Sequence, residues 1–100
     1  MAQLVVTWSV KALRHLDEKA LWYLANRNET YAKTFAEDVR DCIEILSAQP
    51  SIGVIRKQTP RYTYRIFHNH PQCSIYYWHT SSEVHIIDLL FTRMQRHDLD

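Results

Sequence analysis

The sequence predicts a single α+β domain in which a helical hairpin packs on a mostly antiparallel, twisted sheet, in the order β-α-α-β-β-β. Three observations carry this reading. Residues 10–48 place apolar side chains three and four apart, with one polar interruption at Asn26-Arg27-Asn28. Residues 62–91 change to runs rich in β-branched and aromatic residues. Finally, 100 residues with 46% apolar and 23% charged content suit one domain, 1–100, built around one core.

The elements follow in order. Gln3 to Trp8 reads as a strand, with Leu4, Val6 and Trp8 on one face and the β-branched Val5 and Thr7 between them. Ser9 stands where a helix N-cap belongs, its hydroxyl able to accept from a free N–H of the next turn. From Val10 to Asn26 the residues Leu13, Leu16, Ala20, Leu21 and Leu24 fall at helical spacing, and Trp22 and Tyr23 widen that stripe. Lys11, Arg14, Asp17, Glu18 and Lys19 describe its wet face. Asn26-Arg27-Asn28 is then a break, supplying a left-handed C-cap and the next N-cap. A second helix runs to about Ala48, with Tyr31, Phe35, Val39, Cys42, Ile43 and Leu46 inward; Cys42 there is a packing residue. So short a link makes the two helices an antiparallel hairpin. Pro50-Ser51-Ile52-Gly53 ends the second helix. Strands follow at Tyr62–His68, Cys73–His79 and Glu83–Phe91, joined by turns at 68–72 around Pro71 and at 80–82. Large groups on both faces of Cys73–Trp78 and Val84–Phe91 place those strands inside the sheet.

Composition removes several classes of function. No apolar run approaches the roughly 20 residues of a membrane span. The apolar start Leu4-Val5-Val6 has no basic stretch before it, so it does not read as an export signal, and a cytoplasmic location is expected. Cys42 and Cys73 alone make no disulfide framework. The single glycine, Gly53, excludes the phosphate-cradling loops of P-loop and dinucleotide enzymes, and no cofactor is expected. Ser74 sits within a strand, without the glycine-flanked turn of a nucleophilic serine. His68 and His70, with Cys73, His79 and His85, have the residue types of a zinc site. They show only one closely spaced pair, so no metal is expected.

The formal charge of +1 conceals an asymmetry. Residues 1–50 hold six Lys/Arg against seven Asp/Glu, whereas 51–97 hold six against two, Glu83 and Asp88. A basic sheet half points to an anionic partner. Arg65, His79, His85 and Arg93 are the residue types that metal-free RNA cleavage requires, namely an acid, a base and cations for the phosphorane.

In this order the elements resemble the RelE/ParE superfamily of bacterial toxins from type II toxin–antitoxin pairs, over nearly the whole chain. The resemblance rests on Tyr31-Ala32, Phe35, Val39, Ile43, Leu46, Pro50 and Gly53 at their spacing. It continues through Tyr64-Arg65-Ile66-Phe67, Ser74-Ile75-Tyr76-Tyr77, Val84 to Leu90 and Phe91-Thr92-Arg93-Met94. RelE-type members are ribosome-dependent mRNA endonucleases with several cations on the sheet, and they tend to be strongly basic. Here Arg65 fits one such position, but Phe67 and Ser74 replace two others, and Met94 or Arg93 stands at a fourth. ParE-type members are similar in lacking that set and in ending with a His-x-Arg-Arg or His-x-Arg-Met stretch. This chain keeps Arg93 and Met94, with Phe91 in place of the histidine. The resemblance therefore implies a ParE-like inhibitor of DNA gyrase that acts by binding, with an antitoxin encoded alongside whose disordered C-terminal segment wraps the helical hairpin and a sheet edge in a hetero-oligomer. It places Arg65, Arg93 and Arg96 at the target and Leu13, Leu16, Trp22 and Tyr23 at the antitoxin. The alternative is a RelE-like nuclease acting on ribosome-bound mRNA.

Overall fold

The computed structural model describes residues 3–70 and 73–91. Its elements are β1 (Val5–Trp8), α1 (Val10–Asn26), α2 (Glu29–Ala48), a short 3-10 turn (Pro50–Ile52), β2 (Val54–Gln58), β3 (Thr63–His70), β4 (Cys73–His79) and β5 (Glu83–Leu90). The strands form one sheet in the order β1-β5-β4-β3-β2. β1 runs parallel to β5, and the other pairs are antiparallel. The α+β architecture is the expected one, with one further strand, β2. Nothing in Val54-Ile55-Arg56-Lys57-Gln58 alternates, because both faces of this edge strand are exposed and no core selects a period. Strand β3 also runs two residues past the expected end at His68. A register shift between Phe67 and His70 takes up the extra length, and Pro71 and Gln72 of the expected turn lie outside the described residues.

Both helices begin as their caps dictate. The Ser9 hydroxyl accepts from the Ala12 N–H at 3.0 Å, and Asn28 Oδ1 accepts from the Tyr31 N–H at 2.7 Å. The left-handed C-cap expected at Asn26-Arg27-Asn28 does not form. Arg27 ends α1 with φ of −123°, its N–H bonded to Tyr23 O, because Asn28 must be extended to cap α2.

Ser9 does more than cap. Its N–H donates to Ile86 O at 2.9 Å and its hydroxyl to Ile87 O at 2.6 Å. These carbonyls flank a β-bulge, where Tyr76 pairs with Asp88 and Tyr77 with Ile86, leaving Ile87 unmatched. The bond to Ile86 O continues the β1–β5 ladder, and the unmatched Ile87 carbonyl is taken by the cap of α1. Nearby, the buried Asp88 carboxylate meets His15 Nδ1 at 2.6 Å, Lys11 Nζ at 3.4 Å and the Leu89 N–H at 2.8 Å. α1 is thus bolted to β5 by its cap and by this cluster.

The core lies between the helices and one face of the sheet. It joins Ala12, Tyr23, Phe35, Val39, Cys42 and Leu46 with Phe67, Ile75, Tyr77, Val84, Ile86 and Leu89. Burying side chains of this size contributes about 1.5–3 kcal/mol each. β4 is the middle strand, which explains why Cys73 to Trp78 carries large groups on both faces.

Replacing Ser9 with alanine removes the cap of α1 and its link to the bulge together. Ser9→Ala is expected to lower the unfolding free energy by about 2 kcal/mol, at the upper end of cap losses, in urea titrations.

Candidate partner-binding site

α1 carries two apolar faces, and of the stripe that periodicity singles out the fold turns Leu16 and Tyr23 inward and Leu13, Leu21 and Leu24 outward. Ala12, Leu16, Lys19 and Tyr23, stepping by four, three and four, turn inward. Val10, Leu13, Leu21 and Leu24 lie on the far side, 80%, 45%, 63% and 49% exposed. Ala12 decides the orientation, since its small side chain, 0% exposed, lets the helix close on the sheet. Tyr23 then fills the hairpin, its ring 5.0 Å from Phe35 and 4.7 Å from Tyr31. Lys19, expected on the wet face, is 7% exposed instead. Its stem packs inward, and its ammonium lies 4.8 Å from the Trp22 ring, 5.0 Å from Tyr23 and 5.3 Å from Phe91. A lysine buried by aromatic rings leaves no trace in hydropathy, which explains why spacing set Leu13, Leu21 and Leu24 on one stripe with Leu16 and left Lys19 outside it.

The outward stripe of Val10, Leu13, Leu21 and Leu24 is interrupted once, by Asp17 at the same helical phase. Of the four residues expected at the antitoxin, Leu13 and Trp22 are on the surface, Leu16 is half-buried against the core and Tyr23 is buried. Leu13 and Trp22 do not share a face, because nine residues apart is two and a half helical turns. Val10, Leu21 and Leu24 complete the stripe around Leu13.

Arg65, expected at the target, is tied to the fold. It pairs across strands with Tyr77, and its Nη1 donates to Gly53 O at 2.8 Å and Ser51 O at 3.2 Å. The Tyr77 hydroxyl donates to Pro50 O at 2.6 Å and accepts the Gly53 N–H at 3.0 Å. The two side chains hold the whole link from α2 to β2. Arg65 Nε is buried without a hydrogen-bond partner, a cost the two carbonyl bonds offset. Gly53 has an ordinary φ of −71°, so it is required for space rather than for turning: a Cβ there would stand 2.5 Å from Tyr77 Oη.

The four residues weighed for RNA cleavage are not brought together. His79 follows Tyr77 on the helix side of β4, and His85 pairs with Trp78 on the opposite face. There His85 lies between Thr7 Oγ1 at 2.8 Å and Glu83 Oε1 at 2.9 Å, stacked on Trp78 at 4.1 Å. Trp78 in turn contacts Tyr62 at 4.2 Å. Arg93 and Arg96 lie outside the described residues. His68 Nδ1 bonds to Ser74 Oγ at 2.6 Å, Cys73 is buried, and among the described residues no three His, Cys, Asp or Glu side chains converge as metal ligands. The Asp88–His15–Lys11 cluster escaped sequence reading, since its partners are 73 residues apart and no local pattern joins them. No helix among the described residues is long and apolar enough to cross a membrane.

The comparisons with known proteins fit this geometry. Residues 6–96 match the family profile of the ParE toxin of the type II toxin–antitoxin system parDE. The chain belongs to that family of toxins. No curated protein sequence matches it. Among solved structures, a chain of the chromosomal ParDE toxin–antitoxin system from P. aeruginosa superposes with a TM-score of 0.67 at 18% identity, covering 89% of this chain and 96% of that one. At such identity the likeness is one of fold.

Gly53→Ala is expected to cost about 2 kcal/mol through overpacking against Tyr77. Combining it with Tyr77→Phe should cost less than the sum of the two, as measured by a double-mutant cycle in denaturant. Cys73 gives a pH prediction. Burial foremost, and then the neighbouring Cys42, push its thiol up to about 12 from 9.0, against a smaller opposing pull from Lys19. The unfolded chain thus loses this proton near pH 9 while the folded one keeps it. Burial raises Tyr23 and Tyr77 likewise. Stability is expected to be fully present below pH 9 and to fall as pH rises beyond it. Cys73→Ala should flatten the first part of that decline in unfolding curves recorded between pH 8 and 11.

Proposed function

We propose that this ParE-family toxin inhibits DNA gyrase by binding it, without chemistry of its own, and is neutralised by an antitoxin helix laid on the outer stripe of α1. The observation that carries the antitoxin reading is the row Val10, Leu13, Leu21 and Leu24 on a helix whose other side already fills the core. Scattered apolar residues on a surface need no explanation, but four in one helical stripe match the helix-in-groove mode of recognition. Asp17 at the centre of the row asks for a Lys or Arg on the partner. Binding rather than RNA cleavage is supported by the separation of His79 from His85 across the sheet and by the structural commitment of Arg65. With Arg65 so engaged, Arg93 and Arg96 become the principal candidates for target contact.

Induction of the chain in bacteria tests the target. The expected result is filamentous cells and cleaved DNA trapped on gyrase, and purified protein should inhibit supercoiling by gyrase in vitro. Intact DNA with mRNA cut within codons on ribosomes would replace this reading with the nuclease one. Leu13→Glu with Leu24→Glu tests the antitoxin site. The double variant should keep its toxicity but lose rescue by the co-expressed antitoxin, since buried charges opposite an apolar helix cost several kcal/mol.

A further inference from the structure

Both helices pack on the sheet face that carries Tyr77 and Ile86, and neither covers the opposite face. On that outer face Lys57 pairs with Tyr64, Tyr64 with Trp78, Trp78 with His85 and His85 with Thr7. Cross-strand partners point the same way, so these side chains form one row across all five strands, at spacings of about 4.8 Å. Val54, Ile66 and Tyr76 form the next row. The rings are ordered against one another. Trp78 lies between His85 at 4.1 Å and Tyr62 at 4.2 Å, and Tyr64 stacks on Tyr76 at 5.8 Å. Tyr62 is the most open of them, and Tyr64, Tyr76 and Trp78 are half-buried.

Cations border these rings on one side. Arg56 occupies the bulge in β2, Lys57 follows it with its ammonium 5.9 Å from the Tyr64 ring, and Arg61 directly precedes Tyr62. Among the described residues none of the three enters an ion pair, and the sequence has no Asp or Glu from Val54 to Ser82. Glu83, at the far end of the row, is already bonded to His85. Rings and cations together define the occupant. A second copy of this chain would bring the same three cations to the joint surface without a carboxylate to meet them. An acidic peptide answers the cations but loses hydration where its carboxylates lie against the rings. Duplex nucleic acid offers phosphates and keeps its bases stacked inside. A single strand offers a phosphate and an unpaired ring at every nucleotide. Val54 and Ile66 beside the rings suit the apolar C2′ of deoxyribose better than a hydroxyl without a partner.

We propose that the outer sheet face binds single-stranded DNA without sequence preference, bases stacking on Tyr62, Tyr64 and Tyr76 and phosphates meeting Arg56, Lys57 and Arg61. This goes beyond the gyrase reading and does not depend on it. The surface is also separate from the groups weighed for RNA cleavage, since Arg65 and His79 lie on the helix side with Tyr77. It holds no acid–base pair aimed at a phosphate, because both ring nitrogens of His85 are engaged by Thr7 and Glu83. The strand is bound there and not cut.

The test uses the purified full chain and a labelled oligo(dT) of about twelve nucleotides, followed by fluorescence anisotropy. Binding is expected to weaken as salt rises, and Lys57→Gln should reduce the slope of log K against log salt by about 0.7. Tyr62→Ala should weaken binding about tenfold, and Tyr62→Phe should leave it unchanged. Tyr62→Leu keeps apolar cover on Trp78 while removing the ring, so it gives the same loss even where the alanine variant fails to fold. Oligo(dU) should bind more tightly than oligo(U), which differs from it only in the 2′-hydroxyl. Equal affinity for duplex DNA or polyglutamate, or charge dependence with no effect of Tyr62, would leave a general polyanion patch and overturn the inference. Tighter binding of oligo(U) would make the occupant RNA and overturn it as well, as would no binding of oligo(dT) at all. Inhibition of gyrase is measured on the same preparation without the oligonucleotide, so either reading can fail while the other stands.

Discussion

The Tyr77 hydroxyl is the contact on which the sheet half of this protein depends. Its ring is 0% exposed at the centre of the middle strand, and its oxygen reaches the chain leaving α2. It donates to Pro50 O and accepts the Gly53 N–H, so one side chain satisfies the backbone on both sides of the 3-10 turn. Two backbone groups that helix and sheet leave without partners are thereby paired inside the protein, where an unpaired group costs about 1–3 kcal/mol. The approach is so close that residue 53 can have no side chain, and Arg65 closes the other side by taking the carbonyls of Ser51 and Gly53. The start of β2, and with it the open edge, is fixed by a tyrosine 24 residues further on.

The helix half depends in the same way on a defect in β5. The Ser9 N–H continues the parallel ladder to Ile86 O, whereas Ile87, unmatched at the bulge, gives its carbonyl to the Ser9 hydroxyl. Asp88, the next residue, is turned to His15 and Lys11 rather than to solvent. α1 is therefore attached through polar contacts at its N-terminal half and through Tyr23 and Lys19 further along. Of the leucines of α1 only Leu16 packs against the core, which leaves Leu13, Leu21 and Leu24 on the surface.

Local signals were legible in the sequence, and long-range choices were not. Ser9 and Asn28 act as the caps that their residue types announce, because capping is settled within three residues. The period of α2 was read with its inward face, as Phe35, Val39, Cys42 and Leu46 are buried. α1 has two apolar stripes, and periodicity cannot rank them; Ala12 against the sheet and Lys19 among rings decided the matter through tertiary packing. β2 has no periodicity because nothing covers it. Of the residues that the resemblance places at the antitoxin, Leu13 and Trp22 are exposed, whereas Arg65 and the two histidines, which share only their chemistry, are kept apart by the fold. Strand alternation places His79 and His85 on opposite faces once the β4–β5 register is known, and that register is set beside the turn, where His79 pairs with Val84 and Trp78 with His85.

The basic excess of the second half also changes meaning once its members are placed. Counted along the chain, it looks like one cationic surface. In the fold, Arg65 is withdrawn into the link after α2, and Arg56, Lys57 and Arg61 gather along the β2 edge and its turn. His85 is held by Glu83 and Thr7, and His68 by Ser74. The charges of this half that remain free to meet a partner, among the described residues, are therefore those of one sheet edge, in a stretch without carboxylates. An edge strand so charged resists pairing with its own kind, as soluble proteins require of such edges. Protection against self-association is thus a property of Arg56, Lys57 and Arg61, placed along that edge and its turn.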